Sequence, residues 1–175
     1  MGTLLHFCAI ALASALSITK DNVRGIQKGM LFNFYIFSCT GKCLYYKEWN
    51  RPQNTMEDPE EERKLVFGML FSLKDLASKL SPSEGSEGLH IIKTNSFTLH
   101  HYQSVTGLVF VLNTGNDIPD QYQTLKHVYT NIYIEYVLRN PLYMFSIDSP
   151  IDSPLFEKKV DEYLRSGRGA LPGSV

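Results

Sequence analysis

The spacing of apolar and polar residues predicts the first three elements of the chain. Apolar and aromatic residues run almost unbroken from Leu31 to Ser38 and again from Cys43 to Trp49. Runs of this kind, separated by a short turn at Gly41, predict two strands joined as a β-hairpin. A polar loop follows and ends at Asp58, which can cap a helix. From Glu60 to Leu80 apolar residues recur at helical spacing, which predicts a helix.

The predicted central helix has an unusual distribution of apolar residues. One stripe at helical spacing consists of Leu65, Met69, Leu73, Leu76 and Leu80. Phe67, Leu70 and Phe71 lie outside that stripe, so the middle of the helix is apolar nearly all round. A helix of this kind is normally covered on both sides. We expect Met69 and Leu73 to face the sheet of the same chain, and either a later helix or a partner protein to cover the other side.

Three short strands are predicted in the second half of the chain, at Leu89–Thr94, Phe97–Gln103 and Leu108–Asn113. The turns between them are too short for a crossover, so neighbouring strands must be antiparallel. The last strand is apolar on both faces and should lie inside the sheet, covered on both sides.

Two further helices follow. The first opens at Pro119 and ends near Asn140, where the next residue is a proline that disfavours helical geometry. The second begins at Pro154 with Ser153 as its cap. The order of elements predicts an α+β domain, in which a five-stranded, mostly antiparallel sheet has the first helix on one face and the last two elsewhere.

Composition restricts the classes of function. The chain has 175 residues, enough for one domain, and its net charge of −1 gives no reason to expect nucleic acid or an anionic membrane surface as a partner. Ten tyrosines and ten phenylalanines fit either a large aromatic core or a surface buried against another protein. The three cysteines, Cys8, Cys39 and Cys43, form no disulfide framework and fit a reducing compartment.

The sequence contains no recognisable catalytic constellation. It has no phosphate-binding glycine loop, no dinucleotide fingerprint and no nucleophile elbow. His100 and His101 are neighbours on a predicted strand, so their side chains point to opposite faces and cannot hold one metal ion together. Cys39 and Cys43 flank a hairpin turn without the second ligand pair that a zinc site needs. The sequence therefore predicts no catalytic, cofactor-binding or metal site and indicates a protein-interaction module.

Both ends of the chain are expected to lie outside the folded domain. Residues 4–16 form an apolar run of signal-peptide length that lacks a positive leading region. The run can be a true signal, a packed extension or a gene-model artefact with the natural start at Met30, and we favour the artefact. We expect residues 1–29 to be an extension, residues 30–166 to form the globular domain and residues 167–175 to form a flexible tail.

Several segments of the chain resemble a known family. These segments are the hairpin NFYIFSCTGKCLYYKEWNR, the helix KLVFGMLFSLKDLASKLSP and the strands TNSFTLHHYQSVTGLVFVLNT. They are similar to the subunit 1 family of the TRAPP tethering complex, whose members are small longin-type (sedlin-like) subunits. The similarity extends over about Leu31 to Arg165, and residues 1–29 have no counterpart. It implies the longin (SNARE-like) fold, a five-stranded antiparallel sheet in the order 2-1-5-4-3 with one helix on one face and two on the other.

The resemblance also implies a function without covalent chemistry and without a cofactor. The family's assembly tethers vesicles between the endoplasmic reticulum and the Golgi apparatus. It also acts as nucleotide exchange factor for a Rab-family GTPase, on a surface shared by several chains. The implied partners are other small TRAPP subunits, of the longin type and of the second small-subunit type, and the GTPase through the assembled complex.

The implied location is the cytoplasm, at the periphery of endoplasmic reticulum and Golgi membranes, with the complex providing the membrane association. An alternative is another longin-fold trafficking module, such as an adaptor small chain or a SNARE-regulatory domain. No residue can be assigned to contact with the GTPase, because the family's exchange surface is shared between chains.

The outer side of the central helix is the predicted partner surface. Its residues are Phe67, Leu70 and Phe71, the apolar residues that lie outside the stripe expected to face the sheet. Large apolar side chains of this kind are typical of the buried centre of an interface between subunits.

Overall fold

The computed structural model describes residues 30–50, 58–81, 88–140 and 148–166. The predicted extension at residues 1–29 and the predicted tail at residues 167–175 lie outside the described residues. The chain divides into two compact units, and each is described by itself.

The order of element types agrees with the predicted order. The described elements, in chain order, are the strands β1 (Leu31–Phe37) and β2 (Cys43–Glu48), the helix α1 (Pro59–Leu80), the strands β3 (Ile91–Lys93), β4 (Thr98–Gln103) and β5 (Val109–Thr114), the helix α2 (Tyr122–His127) with a π-helical continuation (Val128–Leu138), and the helix α3 (Pro154–Ser166). One unit contains the five strands with α2 and α3, and the other contains α1.

The five strands form one sheet with the order β2-β1-β5-β4-β3, and every neighbouring pair is antiparallel. This confirms the predicted fold class and the strand order. β5 occupies the centre, where Val111 pairs with Tyr35 of β1 and with His101 of β4. The residues from Val109 to Leu112 are all buried, as a run of apolar residues on both faces predicts.

The last two helices pack together on one face of this sheet. The shared core includes Phe34 and Ile36 of β1, Phe110 and Leu112 of β5, Ile132, Tyr133 and Val137 of the π-helix, and Phe156 and Val160 of α3. Tyr133 meets two rings edge to face, with centroid distances of 6.0 Å to Phe110 and 6.3 Å to Phe156. Such geometry adds about 0.5–1.5 kcal/mol per pair to the gain from burial. Much of the aromatic content therefore belongs to the core.

The second predicted helix differs from the observed one at its start and in its winding. It begins at Tyr122 rather than at Pro119, and the Tyr122 N–H donates to the Asp120 carboxylate at 3.0 Å. In the π-helical continuation the hydrogen bonds reach five residues back, as in the bond from the Arg139 N–H to the Ile134 carbonyl at 2.9 Å. A hydrophobic pattern read at helical spacing does not distinguish this wider winding from an ordinary α-helix.

Polar contacts connect the edge strand β2 to α3. Lys47 Nζ lies 2.5 Å from Glu157 Oε1, and the Trp49 indole N–H, directly after β2, donates to Asp161 Oδ1 at 2.5 Å. Burial opposes ionisation of Asp161, but hydrogen bonds from Trp49 and Arg165 outweigh it and hold the pKa of Asp161 below its usual value. Asp161 is therefore a carboxylate near neutral pH and fixes the position of the Trp49 indole.

His100 joins three elements inside the same unit. Its side chain is fully buried, with 0% of its surface exposed. Nδ1 accepts a hydrogen bond from the Gln121 backbone N–H at 3.2 Å, which assigns the ring proton to Nε2, and Nε2 donates to Thr114 Oγ1 at 2.9 Å. Burial lowers the pKa of His100, and the Asp120 carboxylate, 3.8 Å away, only partly opposes that shift. The neutral ring thus holds β4, β5 and the start of α2 together.

We expect His100 to reduce stability as the pH falls. In the unfolded chain the ring takes up a proton near its ordinary pKa of about 6.5, whereas burial in the folded chain keeps the pKa lower. The free energy of unfolding should therefore fall below about pH 6.5, by at most about 1.4 kcal/mol per pH unit from this group, and level off below the folded-state pKa. Urea titrations between about pH 7.5 and about pH 5 measure this dependence.

The variant His100→Gln tests the assignment. It should cost about 1–3 kcal/mol at about pH 7.5, because buried hydrogen-bonding groups lose their partner. It should also remove the part of the pH dependence that His100 supplies. An equal pH slope in the variant and in the wild type would contradict the role of His100.

Candidate interaction surface

The start of α1 is fixed by local hydrogen bonding, as predicted. The Asp58 carboxylate accepts the Glu60 backbone N–H at 2.8 Å, and Pro59 occupies the first helical position. Glu60 and its acidic neighbours in the first turn, and Lys79 in the last turn, match the sign of the helix dipole at each end. The sequence therefore determines where α1 begins and how it is stabilised at both ends.

Most of the apolar surface of α1 is not deeply buried. In this 22-residue helix the only buried residue is Leu70, which is 3% exposed. Three large apolar side chains are more than half exposed, namely Phe71 at 67%, Leu76 at 51% and Leu80 at 73%. Exposed apolar side chains concentrated on one helix are typical of a surface that another protein covers.

The predicted surface residues separate in the structure. Phe71 is exposed, Phe67 is half-buried and Leu70 is buried. Leu70 was therefore wrongly assigned to the outer side of the helix. The physical reason is that successive residues lie about 100° apart around a helix, so Leu70 and Phe71 face different directions. A helix that is apolar nearly all round does not show in its sequence which of these directions is inward.

The predicted stripe also ends differently from expectation. Met69 and Leu73, expected to face the sheet, are half-buried, whereas Leu76 and Leu80 at the end of the same stripe are exposed. The stripe is therefore partly covered in its first half and open in its second half.

Gly68 is an exposed glycine in the middle of α1. A Cβ atom added there would meet nothing within 4 Å, so packing inside this chain does not require glycine. Glycine in a helix interior is destabilising by about 0.8–1.0 kcal/mol relative to alanine. The helix therefore contains a small residue at an open position where its own fold gains nothing from it.

Four charged residues flank this position along the helix. Lys64 lies 3.1 Å from Glu60, and Lys79 lies 2.7 Å from Asp75, each pair one helical turn apart. All four side chains are exposed, so each pair contributes only about 0.3–0.5 kcal/mol to the helix itself. Their pattern is acidic, basic, Gly68, then acidic, basic. Sequence reasoning treated the first of these charges as a solvated helix start and did not identify their arrangement around Gly68.

The histidines and cysteines weighed as metal ligands are not grouped into a ligand set among the described residues. His100 and His101 are both buried, and their alternation along β4 puts them on opposite faces of the sheet, as predicted. Cys39 is exposed, and Cys43 Sγ donates to the Tyr45 carbonyl at 3.3 Å. In the part of the chain that the structure describes, no three His, Cys, Asp or Glu side chains are placed to hold a metal ion.

Among the described residues, no helix combines the length and the apolar content that are needed to span a membrane.

The strand order and the two helices on one face define the class of this protein. It is an α+β domain of the longin type, with α1 as the element that exposes apolar surface. The chain belongs to the Sybindin-like family, which it matches over residues 31–167. This confirms the family resemblance inferred from the hairpin, helix and strand segments.

Curated relatives are similar over most of the chain. Trafficking protein particle complex subunit 1 of Rattus norvegicus is 37% identical over 134 residues, which are 77% of this chain and 91% of the relative. The protein of the same name from Dictyostelium discoideum is 34% identical over 138 residues, which are 78% of this chain and 95% of the relative. Trafficking protein particle complex subunit BET5 of Saccharomyces cerevisiae is 31% identical over 118 residues, which are 64% of this chain and 74% of the relative.

We expect Gly68→Ala to raise the stability of the isolated chain. The added methyl group enters open space and removes the backbone entropy penalty of glycine, so the gain should be about 0.8–1.0 kcal/mol, or about 2–4 °C in Tm. Thermal unfolding followed by circular dichroism measures the change.

Gly107→Ala is the matched control with the opposite sign. Gly107 has φ of 85°, and an added Cβ would lie 2.9 Å from Cys39 Cβ, so the same substitution should cost about 1–3 kcal/mol. A destabilised Gly68→Ala would show that the fold itself needs glycine at that position.

Proposed function

We propose that this chain is a non-enzymatic subunit of a trafficking protein particle (TRAPP) complex. The observation that carries the proposal is the 37% identity to a subunit 1 protein across 91% of that protein's length. Relatives from an amoeba and a yeast carry names of the same complex. Family membership over residues 31–167 supports the same role for the whole folded region.

The finer proposal is that the chain belongs to the core that acts as exchange factor for a Rab-family GTPase in transport from the endoplasmic reticulum to the Golgi apparatus. Such a core needs no covalent chemistry from its subunits, because it shifts the GTPase toward a conformation that holds nucleotide weakly. The complex would work in the cytoplasm at the periphery of these membranes. The family resemblance of the hairpin and of α1 supports this reading.

The exposed side of α1 supports a role inside an assembly. Full burial of a phenylalanine or leucine side chain is worth about 1.5–3 kcal/mol relative to exposure. Phe71, Leu76 and Leu80 each keep more than half of their surface in water. Covering them with other subunits would recover that free energy, which gives α1 a physical reason to be a contact element.

The chemistry-bearing side chains of the described residues support a structural role as well. His100 is buried between Gln121 and Thr114, and Asp161 is engaged by Trp49 and Arg165. Each of these groups fixes neighbouring elements to one another. They stabilise the unit that contains the five strands.

Affinity purification of the native chain from its own cells tests the proposed assembly. We expect several other small TRAPP subunits, of both structural types, at near-equal amounts, with exchange activity toward a Rab-family GTPase only in the assembled complex. Recovery with adaptor large chains would instead identify another longin-fold trafficking module. Recovery of the chain alone would overturn the proposal.

Phe71→Asp tests the contact surface. It places a charge where partner subunits should bury an aromatic ring, and recovery of partners should fall at least about tenfold, which corresponds to about 1.4 kcal/mol. The matched control is Val105→Asp, because Val105 is fully exposed in the turn between β4 and β5 and is not part of α1. Unchanged recovery with Phe71→Asp, while the complex forms normally, would show that this side of α1 is not the contact surface.

A further inference from the structure

One tripeptide occurs twice just before and at the start of α3. Asp-Ser-Pro stands at residues 148–150 and again at 152–154, with only Ile151 between the two copies. A serine followed directly by proline is the sequence that proline-directed serine/threonine kinases require. Cyclin-dependent kinases also favour a basic residue three positions after the serine, where the two copies have Asp152 and Phe156. Mitogen-activated kinases need only the proline, so both copies match that class.

The fold withdraws the second copy from a kinase. Ser153 is 8% exposed, and its Oγ accepts the Phe156 backbone N–H at 3.3 Å. Its carbonyl accepts the Glu157 N–H at 3.0 Å, and Pro154 is the first residue of α3. A kinase binds its substrate in an extended conformation with the hydroxyl directed at ATP. Ser153 can reach that position only if the first turn of α3 unfolds.

The first copy lies in an irregular segment at the surface. Residues 148–150 belong to neither a helix nor a strand. Asp148 and Ser149 are half-buried, and Pro150 is exposed. The proline disfavours helical geometry for Ser149 and so favours the extended backbone that a kinase binds. Ser149 therefore needs only a local opening of the segment to become a substrate.

Two contacts on either side of Ser149 determine how the segment can open. On one side, the Ile151 N–H donates to the Leu44 carbonyl of β2 at 2.7 Å, and the Ile151 side chain is buried in the core. On the other side, the Thr40 hydroxyl in the β1–β2 turn donates to Asp148 Oδ1 at 2.8 Å in an exposed position. Water can replace an exposed hydrogen bond at little cost, whereas the buried anchor must be kept. Opening therefore separates Asp148 from Thr40.

We propose that Ser149 is a phosphorylation site for a proline-directed kinase of the mitogen-activated type, and that the hydrogen bond between Thr40 and Asp148 limits its modification. In the reaction a bond forms between Ser149 Oγ and the γ-phosphorus of ATP, and the bond from that phosphorus to the bridging oxygen breaks. The hydroxyl proton passes to the base of the kinase, and ADP leaves. The site goes beyond the proposed function and does not depend on it.

The phosphate changes the electrostatics of the segment. It carries a charge of about −1.5 to −2 at pH 7, against a net charge of −1 for the whole chain. Hydrogen bonds from Thr40 and Ser38 hold the pKa of the neighbouring Asp148 below its usual value, so this group is already negative. The phosphate repels Asp148, and its oxygens compete for the Thr40 hydroxyl. Phosphorylation thus loosens the connection between the β1–β2 turn and the segment before α3, while the Ile151 anchor remains.

Phosphorylation of the full chain in vitro tests the site. The chain carries Ser81→Ala, which removes the Ser-Pro dipeptide outside the two copies. It is incubated with an activated mitogen-activated kinase and ATP, and the phosphate is located by tandem mass spectrometry. The initial rate at Ser149 should exceed that at Ser153 by at least about tenfold, because Ser153 requires the larger unfolding. Equal rates, or no phosphate on Ser149, would overturn the proposal.

A synthetic peptide of residues 144–158 separates the effect of the fold from that of the sequence. Both serines are accessible in the peptide, so their rates should be similar. A peptide that keeps the full preference for Ser149 would show that the sequence alone selects it, and would overturn the role given to burial.

Pro150→Ala tests the class of kinase. It leaves the Ser149 hydroxyl in place and should abolish the phosphate there, whereas continued modification would show that the enzyme is not directed by the proline. Circular dichroism with thermal unfolding checks that the variant is folded.

Thr40→Val tests the limiting contact. It removes the donor to Asp148 at nearly constant size and should raise the rate at Ser149 about two- to tenfold, the range expected for one hydrogen bond. Thr106→Val is the matched control, because Thr106 is an exposed threonine in the β4–β5 turn and should leave the rate unchanged. An unchanged rate with Thr40→Val would show that the contact with Asp148 does not limit the modification.

Discussion

The pairing of β5 with β1 on one side and β4 on the other is the interaction on which the sheet depends. β5 is the last of the five strands along the chain, and in the sheet it lies between β1 of the N-terminal hairpin and β4. Its side chains Phe110 and Leu112 then supply the surface on which the π-helix and α3 pack. His100 secures the same junction with hydrogen bonds to Thr114 and Gln121. Strand pairing, helix packing and the buried histidine therefore stabilise one centre.

The helices α1 and α3 differ in how much of their apolar surface is buried inside the chain. α3 is amphipathic, and its inward residues Phe156, Val160 and Leu164 are buried in the shared core. α1 has apolar residues on more sides and only Leu70 is buried. Phe71, Leu76 and Leu80 of α1 remain more than half exposed, so association would supply the further burial that these side chains lack. This difference explains why α1, rather than the chemistry of single side chains, is the candidate site.

The sequence predicted the fold well and the surface incompletely, for physical reasons. Short turns force antiparallel neighbours, so the strands and their direction follow from the pattern, while the order 2-1-5-4-3 came from the family resemblance. The position of Leu70 could not be predicted, because an all-round apolar helix has no polar side to mark the exterior. The π-helical winding was not predicted, because apolar residues face the core in a π-helix as they do in an α-helix. The open space beside Gly68 is a property of the folded chain, so the sequence could not predict it.

Trp49 is the single tryptophan of the chain, and its indole N–H is held by Asp161 between β2 and α3. Its emission is therefore an intrinsic optical signal from one known place in the molecule. Indole fluorescence responds to hydrogen bonding and to the polarity of its surroundings, so a change would report that α3 has shifted from the sheet. The unmodified chain thus carries a built-in reporter of whether joining a larger assembly leaves this domain rigid or rearranges it.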